Sequence, residues 1–517
     1  MKRWFNHGGY SMKALKRQQI ALFVLTSCLL LFGFFTPLGC GPMAGNKRGT
    51  HEGVPVDEEA IHNFCAYCHG MPPPEIFPRN AWKMEVERGY QFFEKAGLAL
   101  KAPPLPGVVD WYEKKAPEKL DDSVPNRAKA RGWITEDLPP WPETPPGGTA
   151  IAHLRYASKD PSSRPLLWAV DMRGGLICSW DPQKPLAWQS VIKGNHPCHL
   201  EPGDFDGDGL GDLLVSELGS FLPTDARKGR AVWHRGQSDG TFKETVLLEN
   251  VGRVTDIKPL TSPGIWPMEF VVSAFGWNQT GEVWFVQIPA LDADPKVWLK
   301  KEIDPRHGAI HILVRDWNGD GKQDFIALFG QEHECVTLYV NQGNGTFQSR
   351  NIYQGGHPGL GFSGIVQADL DGDGDVDLLL TNGDVLDQPY LLKPYHGVSW
   401  LENVGDLVFK HHSIGPMHGV HRALPLGRIE PGQGSPELVS VAFLPEEGFP
   451  YRKARDLPSV LLWTPKGKGQ WEASVLESVF ADHVTMAILS GQEFGRNAVA
   501  VGDFSGNKVP VKVFRRP

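Results

Sequence analysis

Seven times in the last two thirds of this chain, a short apolar run closes on an aromatic residue at a near-constant interval. The residues are Trp180, Trp233, Trp284, Tyr339, Trp400, Trp463 and Phe514, spaced by 53, 51, 55, 61, 63 and 51 residues. A turn and a second aromatic follow the first six: Trp188, Phe242, Trp298, Phe347, Phe409 and Trp471, at offsets of 8 or 9 and once 14. A fixed long period means that one supersecondary unit is repeated and buries its faces against its neighbours. With 58 Gly, 43 Pro and 17 Trp among 517 residues, the unit is a turn-rich β-sheet. The pattern predicts a mainly β chain forming a seven-bladed propeller of four-stranded blades over 149–517, with each aromatic pair on the third and outer strands.

Phe514 has no aromatic follower, because only three residues remain. A blade lacking its outer strand would expose a row of backbone donors and acceptors. The segment Arg131–Glu136, with Trp133 in the aromatic role, has strand composition and precedes blade one. It is expected to close the ring against the strand containing Val511 and Phe514, within an otherwise Pro-rich linker over 101–148.

Three blades carry acidic runs at the expected turn between strands one and two. These place Asp204, Asp206, Asp208, Leu210 and Asp212 in the first; Asp316, Asn318, Asp320, Lys322 and Asp324 in the second; and Asp369, Asp371, Asp373, Asp375 and Asp377 in the third. Side-chain oxygens at positions 1, 3, 5 and 9, with a backbone carbonyl at position 7 (Leu210, Lys322, Asp375), suit the oxygen shell of calcium. Position 12, a bidentate Glu in an EF-hand, is Val215, Ala327 or Leu380, so a strand leaves each loop. Three Ca2+ sites are expected; the metal-free alternative is a set of Asx/Gly hairpin turns. Loops and aromatic strands together resemble the FG-GAP/VCBS propeller family, across about residues 150–517. That resemblance implies a calcium-bearing propeller and leaves the activity open, since the fold hosts many roles.

Residues 65–69 read Cys-Ala-Tyr-Cys-His. Thiols three positions apart can bond the two vinyl groups of a haem, and the adjacent histidine then reaches the iron. Cys65 and Cys68 are therefore expected to attach one covalent haem c, with His69 as proximal ligand. Half of a zinc site is the competing reading, but no second Cys pair exists to complete it. Helical spacing is expected over 56–68 and again from Arg79 to Lys95, making 51–100 a small α-helical domain. Met84 is the candidate for the distal iron ligand. The stretch Met71–Trp82 resembles short cytochrome c segments fused to propellers in environmental bacteria, which carry a methionine where this chain has Tyr90.

Basic residues (Lys2, Arg3, Lys13, Lys16, Arg17) precede an uncharged apolar run from Ile20 to Leu38. Residues 1–40 thus read as an export segment. Leu38-Gly39-Cys40 resembles a lipoprotein cleavage box; an uncleaved membrane anchor or ordinary secretion are the alternatives. Each places the body outside the cytoplasm, in the periplasm or on the cell surface. A formal charge of −8, without a long basic run after residue 20, argues against nucleic acid as partner.

On the propeller face opposite the acidic loops, histidines gather in the connections into the innermost strands: His196, His199, His307, His311, His357, His418, His421 and His483. Glu217, Asp225, Glu332, His333, Glu334, Asp384, Asp387 and His396 fall in the loops between strands two and three. Imidazoles and carboxylates around a channel suit a transition metal or acid–base chemistry. His199, His311, His357, His421 and His483 are the candidate catalytic or metal residues. The plain alternative is that each histidine caps a blade turn. Histidine-rich channels are also similar to those of metal-dependent sugar-converting propellers. Two functions follow. In one, the propeller binds a small molecule or sugar and the haem exchanges electrons with it or with a redox protein. In the other, the propeller is a docking or adhesion module that localises a cytochrome without catalysis. No nicotinamide fingerprint, P-loop or nucleophile motif is present.

Overall fold

The apolar runs that close on Trp180, Trp233, Trp284, Tyr339, Trp400, Trp463 and Phe514 all become third strands in the computed structural model. The structure describes residues 56–516, apart from 387–388, 428–433, 468, 479–481, 492–493, 507–508 and the side chains of 495–497. These residues belong to one unit, Gly53–Pro517. The export segment, including Cys28 and Cys40, lies outside the described residues.

Alternating apolar positions pair the runs into seven antiparallel four-stranded sheets. The innermost strands are Ile151–Ala157, Pro197–Gly203, Val254–Pro259, Ala309–Arg315, Phe362–Ala368, Val420–Leu426 and Thr485–Gly491. Each packs against the inner strand of the next blade, and the last packs against the first, which closes the ring. Six of the third-strand aromatics are buried, and Trp284 is half-buried. They wedge between blades: Trp400 of blade five meets Trp471 on the outer strand of blade six, with ring centroids 6.2 Å apart. Burial of each such side chain contributes roughly 2–3 kcal/mol.

The missing outer strand of blade seven comes from Ile134–Asp137, antiparallel to Val511–Arg515 with Thr135 opposite Phe514. The paired residues start three positions later than the expected 131–136. Trp133 precedes the strand and packs beside the blade six–seven core, under the Arg516 guanidinium at 4.8 Å. The closing chain is longer than one strand. Ala128 and Ala130 exchange backbone hydrogen bonds with Val475 of blade six. Farther on, Trp141 is buried against Trp188 of blade one. A single strap therefore ties blades six, seven and one.

Ahead of the strap lies a helical unit. Its helices are α1 (Glu58–Cys65), α2 (Trp82–Ala96) and α3 (Leu105–Lys115). Asp57 caps α1, with Glu58 and Glu59 in the first turn where the helix dipole favours acids. Helix α3 corrects the expectation of an extended linker over 101–148. Pro104 at its N-cap position and Pro106 in its first turn are compatible with a helix start, and Val108, Val109 and Tyr112 then form a buried face. That face stacks Tyr112 on Trp82 at 3.9 Å, so the helical unit extends to Ala116.

Candidate functional site

A β-bulge decides which residues line the channel. In six inner strands the pairing register shifts between the first and third residue. The residue after the bulge is brought onto the channel side. Those residues are His153, His199, Asp256, His311, Gly364 and Arg422. Thr485 is the seventh: its hydroxyl accepts the Leu154 N–H at 3.0 Å, as the Asp256 carboxylate accepts the Ile312 N–H at 2.9 Å. Two residues farther along each strand, Arg155, Glu201 and Lys258 make one side polar, whereas Leu313, Val366, Leu424 and Ala487 are apolar.

The polar groups form one network. His199 Nε2 lies 3.0 Å from Glu201 Oε1 and 3.2 Å from Asp256 Oδ1. Lys258 Nζ bonds Glu201 and reaches His199 Nε2 at 3.2 Å and Asp256 Oδ1 at 3.4 Å. Arg422 Nη1 lies 3.4 Å from His311 Nε2. Burial, then His199 and Arg422, hold His153 well below the usual imidazole range. Burial with Arg422 does the same for His311. Burial opposes ionisation of Glu201, but Lys258, Arg155 and His199 outweigh it and keep the carboxyl well below its ordinary value. His199, Asp256 and His311 have donor atoms close enough for a metal, yet the Lys258 ammonium already contacts both His199 and Asp256.

Two of the five candidate histidines, His199 and His311, thus meet in the channel. His421 occupies a bulge position beside Arg422, and burial pushes it down to about 4. His483 bridges the Gly502 carbonyl at 3.0 Å and Glu477 at 3.1 Å, a turn-fastening role. His357 stands off the channel, edge-on to Tyr395 at 4.6 Å. His196 and His418 place ring nitrogens 3.0 and 3.2 Å from backbone carbonyls, in keeping with blade caps. Several rim acids are likewise structural: Glu217 accepts from Asn195, Asp225 from Gln279 and Thr280, and Glu334 from Phe362. Asp387 lies outside the described residues. His153, Asp256 and Arg422 escaped the sequence reading because only the repeated two-residue offset from each strand start marks them.

The three acidic loops join strands one and two of blades two, four and five. Their internal bonds repeat. The position-1 carboxylates accept N–H bonds from positions 4 and 6: Gly207 and Gly209, Gly319 and Gly321, Gly372 and Gly374. The buried position-9 acid clamps each loop to its blade. Asp324, for example, accepts from Trp317 at 3.1 Å and from Asn341 on strand three at 2.8 Å. Carboxylate oxygens of Asp204, Asp206 and Asp212 converge within 4.8 Å, as do those of Asp369, Asp371 and Asp377. An oxygen-only donor set of this kind fits calcium. Burial, with Asp371 and Asp373 adding, pushes Asp377 up to about 7, and burial pushes Asp212 up to about 6.

Residues 316–380 match the profile of a family described as FG-GAP-like repeat. The matched span runs from the blade four acidic loop through that of blade five, one full repeat. No curated protein matches the chain. Among solved structures, it is similar to virginiamycin B lyase from Staphylococcus aureus at 10% identity, with 74% of this chain and 99% of that chain covered and a TM-score of 0.45. A streptogramin B lyase structure covers 98% of its own length and 74% of this chain at 10% identity and a TM-score of 0.45.

The Cys65–His69 run begins on the last residue of α1. Cys65 is half-buried, and burial pushes its thiol up. Cys68 is exposed; burial of part of its surface and the nearby Glu332 carboxylate raise it. His69 Nδ1 lies 2.7 Å from the Gly70 carbonyl, which leaves Nε2 open to a ligand. Tyr67, Met84 and Phe92 of this unit stand 58%, 37% and 43% exposed. Met84 is thus free of the core, while Tyr90 donates to the Pro103 carbonyl at 2.6 Å. The donor set and exposed apolar surface fit a haem: Cys65 and Cys68 would hold it covalently and His69 would ligate its iron. The unit docks on blade five. Tyr395 donates to the Ile76 carbonyl at 3.4 Å, and the Lys393 ammonium lies over the Phe77 ring at 5.9 Å. Lys393 and Tyr395 belong to a strand two-to-three loop, on the face opposite the acidic loops.

Proposed function

We propose that this is an exported haem c protein whose propeller, stabilised by calcium, carries a ligand-binding face beside the haem. Cys65 and Cys68 would form the two thioethers, His69 would be the proximal ligand and Met84, 37% exposed, the distal one. The bound haem supplies one-electron transfer. The carrying observation is the placement of the Cys-x-x-Cys-His run at the end of a capped helix, on a unit docked against the histidine-bearing face. A redox protein or a small polar ligand such as a sugar, held on that face, is then the electron partner. Calcium in the three acidic loops would offset the burial, and the neighbouring carboxylates, that raise Asp212 and Asp377. Residues 1–40 would export the body and tether it to a membrane.

One observation favours the second reading, a docking propeller without catalysis. Lys258 already contacts Glu201, Asp256 and His199, and Arg422 contacts His311, as expected of a structural network.

Maturation in cells competent for c-type haem tests the proposal. The full-length protein should retain haem through denaturing electrophoresis, and Cys65→Ala or Cys68→Ala should lose that normal attachment. His69→Ala should alter the iron spectrum even where haem stays bound. Wild-type protein without covalent haem would end this reading.

A further inference from the structure

A second histidine cluster lies where two loops of blade four meet. His307 is in the connection leading into Ala309–Arg315, and Glu332 and His333 are in the turn between Asp324–Phe329 and Cys335–Gly343. His307 Nε2 lies 2.9 Å from Glu332 Oε2, and the two imidazole rings are 5.0 Å apart. One donor atom from each of the three residues falls within 4.8 Å of the others. His333 Nε2 is buried without a hydrogen-bond partner among the described residues. We propose that His307, Glu332 and His333 bind a single divalent transition-metal ion on the propeller face that carries the Cys65–His69 segment.

The chemistry of the donors sets the class of ion. Two imidazole nitrogens and one carboxylate oxygen suit zinc, iron, cobalt or copper, whereas calcium and magnesium prefer oxygen alone. Metal–ligand bonds of about 2.0–2.2 Å put the donors of a tetrahedral site roughly 3.4 Å apart. The His307–Glu332 contact therefore opens by about half an ångström, and His333 closes by no more than about 1.4 Å. Three protein ligands leave a position for water or a further ligand.

The loops are held in place before any ion arrives. The Gly308 N–H bonds the Phe275 carbonyl at 2.8 Å, and the Gly330 N–H bonds the Gly308 carbonyl at 2.9 Å, tying the two loops together. The Gln354 side-chain amide donates to the His333 carbonyl at 2.7 Å. Arg306, the neighbouring cation, is committed to Asp304 through bonds of 2.8 and 3.0 Å. This separates the cluster from the channel triad, where Lys258 stands among the donors.

The test is zinc titration calorimetry on the full chain with Cys65 and Cys68 both replaced by alanine, in calcium-containing buffer. Removing the thiols keeps them from binding zinc and makes the result independent of haem. One tight equivalent is expected. Glu332→Gln and His333→Ala should each weaken it by more than roughly a hundredfold, since even outer-shell partners are worth about 10–100-fold. The double variant His199→Ala/His311→Ala should bind zinc as the parent does. Glu332→Gln preserves shape, so an unchanged melting temperature in that variant shows that lost binding is not lost folding. No tight equivalent in the parent, unchanged affinity in Glu332→Gln and His333→Ala, or loss in the channel variant would overturn the proposal.

Discussion

Ring closure by the strap is open to a direct energetic test. Removing residues 1–118 takes away the helical unit and leaves the strap; removing 1–148 takes both. The strap contributes three backbone bonds beyond its strand: Ala130 to Val475, Val475 to Ala128 and Leu138 to Val511, at 2.8, 2.8 and 3.0 Å. Four residue pairs join Ile134–Asp137 to the last strand, and Glu136 pairs with Arg515. Each backbone bond contributes about 1 kcal/mol net, while the Glu136–Arg515 pair is screened by solvent. The largest single element is Trp141, only 6% exposed and packed 5.2 Å from Trp188. Trp141→Ala in the full chain should lower stability by about 3–5 kcal/mol. That is a sizeable share of the roughly 5–15 kcal/mol typical of a folded domain. Guanidinium unfolding followed by tryptophan fluorescence should therefore rank the full chain and the 1–118 deletion together, Trp141→Ala below them and the 1–148 deletion lowest. Equal midpoints for the two deletions, or a Trp141→Ala loss under about 1 kcal/mol, would refute closure by the strap.

Asp324→Ala strips the acceptor from the Trp317 and Asn341 N–H groups and should cost about 2–5 kcal/mol by denaturant titration in chelator, and more in calcium. A strong chelator should lower the melting temperature and calcium should restore it; at a hundred times Kd each occupied site adds about 2.7 kcal/mol. Equal melting curves would count against filled loops. Acidification should destabilise the calcium-loaded protein. His153, His311 and His396 are held well below 6.5, and His357 and His421 at about 4, in each case chiefly by burial. The unfolded chain takes up those protons first, so stability present above pH 6.5 is lost as pH falls toward 4. Glu334, Glu217 and Asp171, raised chiefly by burial, oppose this loss in part. A flat denaturation midpoint between pH 7 and 5 would sink this account.

Features with a local cause were readable from the chain alone. An aromatic that closes an apolar run marks a strand, because burial on both faces is written within five or six residues. The acidic loops specify their own winding, since Asp204, Asp316 and Asp369 bond N–H groups three and five residues ahead. The want of an outer-strand partner for Phe514 was likewise a matter of counting, and Ile134–Asp137 supplies it. Helix α3 was missed because Pro-rich flanks suggested an extended chain, whereas burial of Tyr112 on Trp82 stabilises the helix. Only the tertiary structure decided the channel. A bulge of one residue exchanges the faces of a strand, so His199, His311 and the unanticipated His153, Asp256 and Arg422 turn toward the channel, while His421 sits at the bulge itself. It also brought His307 to Glu332 and His333 across 25 residues of chain. No periodicity encodes that meeting, because it depends on how two loops of one blade emerge on the same face.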